Sequence, residues 1–356
     1  MKIGFLVDKI NFGGGERILK MLIDEFNKLG HDIIIYTWNT QWRSYENKNN
    51  YSINILSFPP IGFKGKILSI NALYKSLKQT KPQVLIVFNL ALAETAVWSA
   101  QLCSIPIITS ERVDPLFLPT SRIHRILKKI TYNLCNGVVF QTKEVQSYFS
   151  QRIQKKSIII QNPIMDELPP ISTNKKKEII AIGRLSDEKK FDLLIQAFSQ
   201  ISPNNYTLRI LGEGPSREKL EKLIKELSMN DKVILEGHVS QVVTHISQAE
   251  IFVLCSEHEG MPNALIEAMA MGTACIATNV PSGGVKALIQ DGHNGLLIPT
   301  NDLNSLKNAL ERLISNSEER KMLQSEATQI RNRNNKKVII PQWINFITSI
   351  SSKNNN

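Results

Sequence analysis

Apolar, β-branched runs recur along this chain at intervals that leave room for a helix between neighbours, and they do so in two series. The first series is KIGFLV (2–7), DIIIY (32–36), INIL (53–56), VLIVF (84–88), PIIT (106–109), GVVF (137–140) and SIII (157–160). The second is EIIAIG (178–183), TLRILG (207–212), KVILEG (232–237), EIFVLC (250–255), ACIAT (274–278) and GLLIP (295–299). Strands that are apolar throughout, rather than on alternate residues, are covered on both faces; that is the condition of a parallel sheet between helical layers. Helical periodicity fills the gaps, as over Glu16 to Leu29 and Ser121 to Leu134. The fold class is therefore α/β, with two Rossmann-like, doubly wound parallel-sheet domains and a cleft at the carboxyl ends of their strands.

Length supports the division, since 356 residues exceed one ordinary core. We expect a first domain over 1–165 and a second over 178–340. Between them QNPIMDELPPISTNKKKE, rich in Pro and charge, reads as a linker over 166–177. Residues 341–356 form a closing segment whose amphipathic part, Pro341 to Ile350, packs back across the first domain, with a frayed SSKNNN end.

Composition narrows the class further. A 42% apolar fraction with no run near the roughly 20 residues of a membrane span indicates a soluble, cytoplasmic protein. The opening MKIGFLVDKI reads as a strand and not a signal peptide, because Asp8 and Lys9 interrupt it. Cys103, Cys135, Cys255 and Cys275 are far apart and sit in apolar runs, so buried free thiols are expected rather than disulfides or zinc ligands. Residues 1–170 hold 21 Lys and Arg against 12 Asp and Glu, whereas 171–356 hold 22 against 20. The positive excess thus belongs to the first half, which suits an anionic partner there.

Four stretches could carry chemistry. CSEHEGMPNALIEAMAMG (255–272) sets Glu259 in a turn and Glu267 in a helix that Pro262 begins. A loop feeding a helix N-terminus is an anion site. Two carboxylates beside it suit a ligand with both phosphate and hydroxyls, such as a nucleotide sugar. In GRLSDEKK, Gly183 ends a strand, and Arg184 and Lys189 flank the turn that follows, where two cations can neutralise a diphosphate. LGEGPSREKLE brings Gly212 and Gly214 to a similar turn, with Glu213 read as structural. Near the start, Gly13, Gly14 and Gly15 precede a helix. As a dinucleotide fingerprint this fails at the sixth position, Ile18, and the second strand ends in Tyr36 and Thr37 with no acid. A nicotinamide-dependent oxidoreductase is the alternative reading these glycines leave. No Asp-x-Asp occurs, and no nucleic-acid module or basic-aromatic stripe appears.

The ordered series GRLSDEKKFDLLIQAF, LGEGPSREKLE, GHVS, AEIFVLCSEHEGMPNALIEAMAMG and DGHNGLLIP, with GGGER in the first half, resembles the retaining glycosyltransferases of family 4, which have the GT-B fold. SERVDP, RILKKITYNLCNGVVFQT and QNPI are similar to the subgroup that builds bacterial surface polysaccharides, such as capsule or O-antigen, on lipid-linked glycans. The resemblance implies a hexose or N-acetylhexosamine moved from a UDP-sugar, without metal or other cofactor, to a polyprenyl-diphosphate-linked or other lipid-linked acceptor. It implies catalytic roles for Glu259, Arg184 and Lys189, with Glu259 on the sugar and the cations on the diphosphate. Glu267 takes the ribose hydroxyls, and Gly183, Gly212, Gly260, Met261, Pro262, Asn263, Ala264 and Leu265 line the donor. Gly14 and Gly15 lie on the phosphate and acceptor side. Where many members carry a histidine after a first-domain strand, this chain has Ser110, Glu111 and Arg112. Arg112 is the candidate to stabilise developing charge there, and Glu111 the candidate to orient the acceptor. His31, in a Gly-His-x-Ile pattern, reads as structural.

The segment SRIHRILKKI (121–130) places Ile123, Ile126, Leu127 and Ile130 on one helical face, with Arg122, Arg125, Lys128 and Lys129 around the rest. Such a helix suits an anionic membrane surface, which would put the protein at the inner face of the cytoplasmic membrane. A helix packed on its own sheet has the same pattern.

Overall fold

In a computed structural model of the chain the described residues are all but 9–13, 43–50, 89, 165–167, 202–204 and 353–356, with the Phe63 side chain also outside the description. The chain separates into two compact units, residues 1–163 with 336–356, and residues 164–335.

Among the described residues of the first unit, β1 (Lys2–Leu6), β2 (Asp32–Thr37), β3 (Ser52–Ile55), β4 (Val84–Val87), β5 (Ile107–Ser110), β6 (Gly137–Phe140) and β7 (Ser157–Ile159) form one parallel sheet. Its order is β3-β2-β1-β4-β5-β6-β7, with Ile3 beside Ile33 and Val84. The connecting helices are α1 (Gly14–Lys28), α2 (Gly62–Thr80), α3 (Leu90–Leu102), α4 (Arg122–Leu134), α5 (Lys143–Ser147) and α6 (Gln151–Gln154).

The second unit continues with α7 (Phe191–Gln200), α8 (Arg217–Glu226), α9 (Val242–Gln248), α10 (Asn263–Ala270), α11 (Leu303–Ser315), α12 (Ser317–Ala327) and α13 (Ile330–Arg333). Its parallel sheet comprises β8 (Lys176–Ile182), β9 (Thr207–Leu211), β10 (Val233–Gly237), β11 (Ala249–Leu254), β12 (Ala274–Thr278) and β13 (Leu296–Ile298), ordered β10-β9-β8-β11-β12-β13. All thirteen apolar runs of the sequence are strands. The central ones bury both faces, as Ile179, Ile180, Ala181, Ile251, Phe252 and Val253 of β8 and β11 show, whereas the edge strands β3, β7 and β10 stay partly exposed. The architecture is α/β, two Rossmann-like domains of the GT-B type.

Two boundaries differ from the sequence reading. The segment expected as a linker over 166–177 is part of the second unit. Ile164 is buried and its N–H donates to the Asn334 carbonyl at 2.8 Å, Leu168 packs on the core, and Arg331 donates to the Pro169 carbonyl at 3.3 Å. Apolar anchors spaced between prolines carry no periodicity, so the pattern concealed them. The closing helix, α14 (Lys336–Ser352), starts five residues before Pro341 and keeps that proline inside it. Burial of Ile339, Ile340 and Trp343 in the first unit outweighs the lost backbone hydrogen bond.

Candidate active site

In the second unit the strand order reverses between β8 and β11, whose parallel pairing sets Ile179 beside Ile251. Loops leaving neighbouring strands at such a reversal diverge to opposite faces of the sheet and leave a crevice at the carboxyl ends, which is where open α/β sheets bind ligands. The loop after β8 carries Gly183, Arg184 and Lys189; the loop after β11 carries Glu259. These two loops are sewn together. The Glu257 N–H donates to the Glu188 carbonyl at 2.8 Å, Lys190 pairs with Glu257 at 3.2 Å, and the Cys255 thiol donates to the Lys189 carbonyl at 3.1 Å.

At the centre Lys189 Nζ donates to Glu259 Oε1 at 2.5 Å. The Ser256 hydroxyl donates to the same oxygen at 2.7 Å, and the Ser256 carbonyl is held in turn by the Thr278 hydroxyl at 2.6 Å. Lys189 is 20% exposed and Glu259 13%, so both reach solvent while most of each is desolvated. The Lys189 stem lies 3.5 Å from where a Cβ on Gly183 would stand, which brings Gly183 into the same cluster. The Arg184 carbonyl accepts from the Ser186 hydroxyl at 3.3 Å, while its guanidinium is exposed and makes no hydrogen bond or ion pair with any described residue. It lines an open groove of about 410 Å³ with Ser186, Asp187, Glu188, Pro215, Ser216 and Lys219. Thus Arg184 remains available to an anion, whereas Lys189 is already engaged by a carboxylate.

Pro262 is the N-cap of α10 rather than its first residue, and its own side chain makes no cap hydrogen bond. An opening helical turn leaves backbone donors pointing outward, with the positive dipole end behind them. Asn263 and Ala264 in this turn are half-buried, while Met261, Pro262 and Leu265 are buried. Glu267 is 2% exposed, between Ile266 and Ala268 that are fully packed.

Glycines here divide by cause. Gly212 has φ +142°, and a Cβ on it would lie 1.9 Å from the Gly183 carbonyl oxygen, so backbone packing at the crossing of two loops demands glycine. In the first unit, Gly15 in the opening turn of α1 has open space where its Cβ would be, so packing demands nothing there. Gly14 begins α1 and is exposed; Gly13 lies outside the described residues.

Two contributors went unread in the sequence. Ser256 orients Glu259, and the loop Pro281–Gly284 covers Gly260, with Ser282 Oγ 3.3 Å from the Gly260 carbonyl oxygen. The three-residue spacing of Ser256 from Glu259 and the paired glycines after β12 were the available signals.

The remaining candidates lie elsewhere in the first unit, on the loop after β5. Glu111 is 3% exposed; its carboxylate is paired with Lys128, accepts from the Tyr132 hydroxyl at 3.2 Å, and burial pushes its pKa up. The Arg112 guanidinium stacks over Phe88 at 4.4 Å and faces Trp343 of α14 at 5.6 Å, with Nη1 bonded to Asn162. Its Nε and Nη2 are out of solvent with no hydrogen-bond partner, and burial pushes the group down to about 9. His31 is structural, placed between the amino terminus at 3.2 Å and the Phe26 ring edge. Among the described residues no three His, Cys, Asp or Glu converge as a metal site would require.

Two doubly wound parallel-sheet domains, the second with a carboxylate–cation pair at its strand reversal, are the architecture of the GT-B glycosyltransferases. Comparison with known proteins specifies the family. Residues 12–168 match the model of Glycosyltransferase Family 4 and residues 166–330 that of Glycosyl transferases group 1. The chain belongs to this family of glycosyltransferases and is an enzyme of that class. It is 29% identical, over 99% of both chains, to the Campylobacter jejuni α-1,4-N-acetyl-D-galactosaminyltransferase that acts on a GalNAc–GalNAc–diNAcBac-PP-undecaprenol glycan. It is 22% identical to the amylovoran biosynthesis glycosyltransferase AmsD of Erwinia amylovora, over 96% of this chain and 98% of that one. The Anabaena protein HepE, solved in complex with UDP, superposes with a TM-score of 0.84 at 17% identity, over 98% of this chain and all of that one. The oxidoreductase alternative finds no support: β2 ends in Tyr36 and Thr37, both buried, and both family models are of glycosyltransferases.

Proposed function

We propose that the protein transfers a hexose or N-acetylhexosamine from a UDP-sugar, with retained configuration, to a lipid-linked glycan in bacterial surface-polysaccharide assembly. The observation that carries the reading is the Lys189–Glu259–Ser256 cluster at the β8/β11 reversal, with the start of α10 following the Glu259 loop and the Arg184 guanidinium exposed. Arg184 takes the diphosphate, with backbone donors from Ala264 and Leu265 and the dipole of α10 behind them. Glu259 holds sugar hydroxyls in the orientation Lys189 and Ser256 impose. Glu267, within the same helix, takes the ribose hydroxyls. Gly14 and Gly15 let the acceptor or its phosphates approach the first unit's backbone.

In the transfer the bond from the anomeric carbon to the diphosphate oxygen breaks. The acceptor hydroxyl oxygen bonds that carbon on the same face, and its proton goes to the departing phosphate oxygen. The protein supplies orientation and charge stabilisation rather than a strong base. The undecaprenol-diphosphate acceptor of the Campylobacter relative and the UDP of the Anabaena structure support the choice of substrates.

The test is a panel of UDP-sugars incubated with purified protein, first for slow donor hydrolysis and then with a lipid-linked acceptor, the product anomer read by NMR. Stabilisation by UDP and an anomer matching the donor's are expected. Stabilisation by NAD and not UDP, or an inverted product, would overturn the reading.

A further inference from the structure

Helix α4 is packed inside out. At about 100° per residue Ile123, Ile126, Leu127 and Ile130 share one stripe. They are 69%, 60%, 37% and 46% exposed. The stripe turned inward holds Lys128, Thr131 and Tyr132, all buried. A helix seated on its own sheet by the hydrophobic effect would do the reverse.

Polar contacts hold this orientation. Lys128 pairs with Glu111 at the end of β5 and donates to the Leu118 carbonyl at 3.2 Å, and the Tyr132 hydroxyl joins the same carboxylate. Arg125 donates to the carbonyls of Pro119 at 2.8 Å and Leu116 at 2.9 Å. The loop fastened in this way displays Val113, Leu116 and Leu118, each exposed, beside the helix. Burying an ion pair while exposing isoleucine does not favour stability. It makes sense if the outward stripe is used.

The neighbouring charge says what covers it. Between Asp114 and Glu144 the sequence has no acidic residue but contains Arg122, Arg125, Lys128, Lys129 and Lys143. By the same helical angle Arg122 and Lys129 adjoin the Ile126 edge of the stripe, and both are exposed. Apolar side chains bordered by unopposed cations match the acyl boundary and phosphates of an anionic bilayer. No helix among the described residues is long and apolar enough to cross a membrane.

We propose that α4 and the loop 113–118 form a docking surface for anionic lipid, with the Glu111–Lys128 pair setting the rotation that turns the stripe outward. The inference deepens the reading of a lipid-borne acceptor. It is tested without sugar or acceptor, so the two can fail separately.

The experiment is co-sedimentation of the full chain with phosphatidylcholine vesicles and with vesicles containing one part in three phosphatidylglycerol. Wild type should pellet with the second and remain in solution with the first. I126D/I130D, whose side chains make no core, should keep the wild-type melting temperature and bind at least roughly tenfold more weakly. R122E/K129E should lose the preference for anionic vesicles, again by roughly tenfold. Wild type free of both vesicles, or I126D/I130D binding as well as wild type, would overturn the proposal. So would a dimer that I126D/I130D abolishes while neither protein pellets with lipid, since the occupant would then be a second copy.

Discussion

Lys189 is the residue whose substitution separates two mechanisms. As a diphosphate ligand it would act independently of Glu259; as the partner that orients Glu259 it would act through it. At 2.5 Å and an effective dielectric of about 20 the gross attraction of the pair is on the order of 6–7 kcal/mol. Desolvation offsets most of that for groups 20% and 13% exposed, so the net coupling lies nearer 1–3 kcal/mol. Lys189→Ala and Glu259→Ala should therefore each reduce turnover by about tenfold or more, the scale of one contact of about 1.4 kcal/mol. The double variant should be little worse than the poorer single one. The assay is kcat/KM for the preferred UDP-sugar on all four proteins of the cycle, with thermal unfolding as a control for folding. If the two losses in free energy simply add, to within about 0.5 kcal/mol, Lys189 does not work through Glu259. If Glu259→Ala transfers sugar almost normally, the role given to the carboxylate is wrong as well.

Three further outcomes are expected. Gly212→Ala should lower the melting temperature sharply, because its Cβ would meet the Gly183 carbonyl at 1.9 Å, whereas Gly15→Ala, entering open space, should melt within a degree or two of wild type; equal melting of the two would refute the division. Glu111→Gln leaves the Lys128 ammonium buried without its counter-charge and should cost about 3–5 kcal/mol by urea unfolding, while the double change to Glu111→Gln with Lys128→Met should recover much of that. Burial holds Lys175 at about 8, below its ordinary 10.5, between the carbonyls of Ser247 and Met271. The unfolded chain then binds more protons between those values, so this group adds stability as pH rises from about 8 toward 10.5. The difference in melting temperature between wild type and Lys175→Met should widen in favour of wild type across that window, and a constant difference would refute the shift.

The strands were legible because a parallel sheet buried on both faces leaves an unbroken apolar run, and each run in the sequence is a strand. The meeting of Lys189 and Glu259 was legible only in outline. Their loops could be placed at strand ends, but their contact depends on β8 and β11 being neighbours, a property of strand order that local pattern does not encode. The lines of the helix α4 were equally plain, yet its rotation was not. Periodicity identifies an apolar stripe without saying which way it faces, and here the answer depends on Glu111, in the loop after another strand.

The two charged loops show why position in the sheet, more than residue type, decides what a charge can do. GRLSDEKK follows β8 at the strand reversal, and its Lys189 meets Glu259 with part of each still open to solvent. SERVDP follows β5, one strand removed from the corresponding reversal between β1 and β4, and its Glu111 meets Lys128 with both 3% exposed. Both are carboxylate–lysine pairs at the carboxyl end of a parallel sheet. The first can exchange its partner for a ligand hydroxyl or phosphate at modest cost, because water already reaches it. The second would have to expose a lysine, a tyrosine hydroxyl and the loop they tie before a ligand could enter. Arg112 stands between these cases: two of its nitrogens are unpartnered, but the rings of Phe88 and Trp343 close over it. A ligand could reach them only if α14, which carries Trp343, shifted on the first unit, so a contribution from Arg112 to transfer requires movement of that helix, whereas Arg184 is already exposed to an incoming ligand.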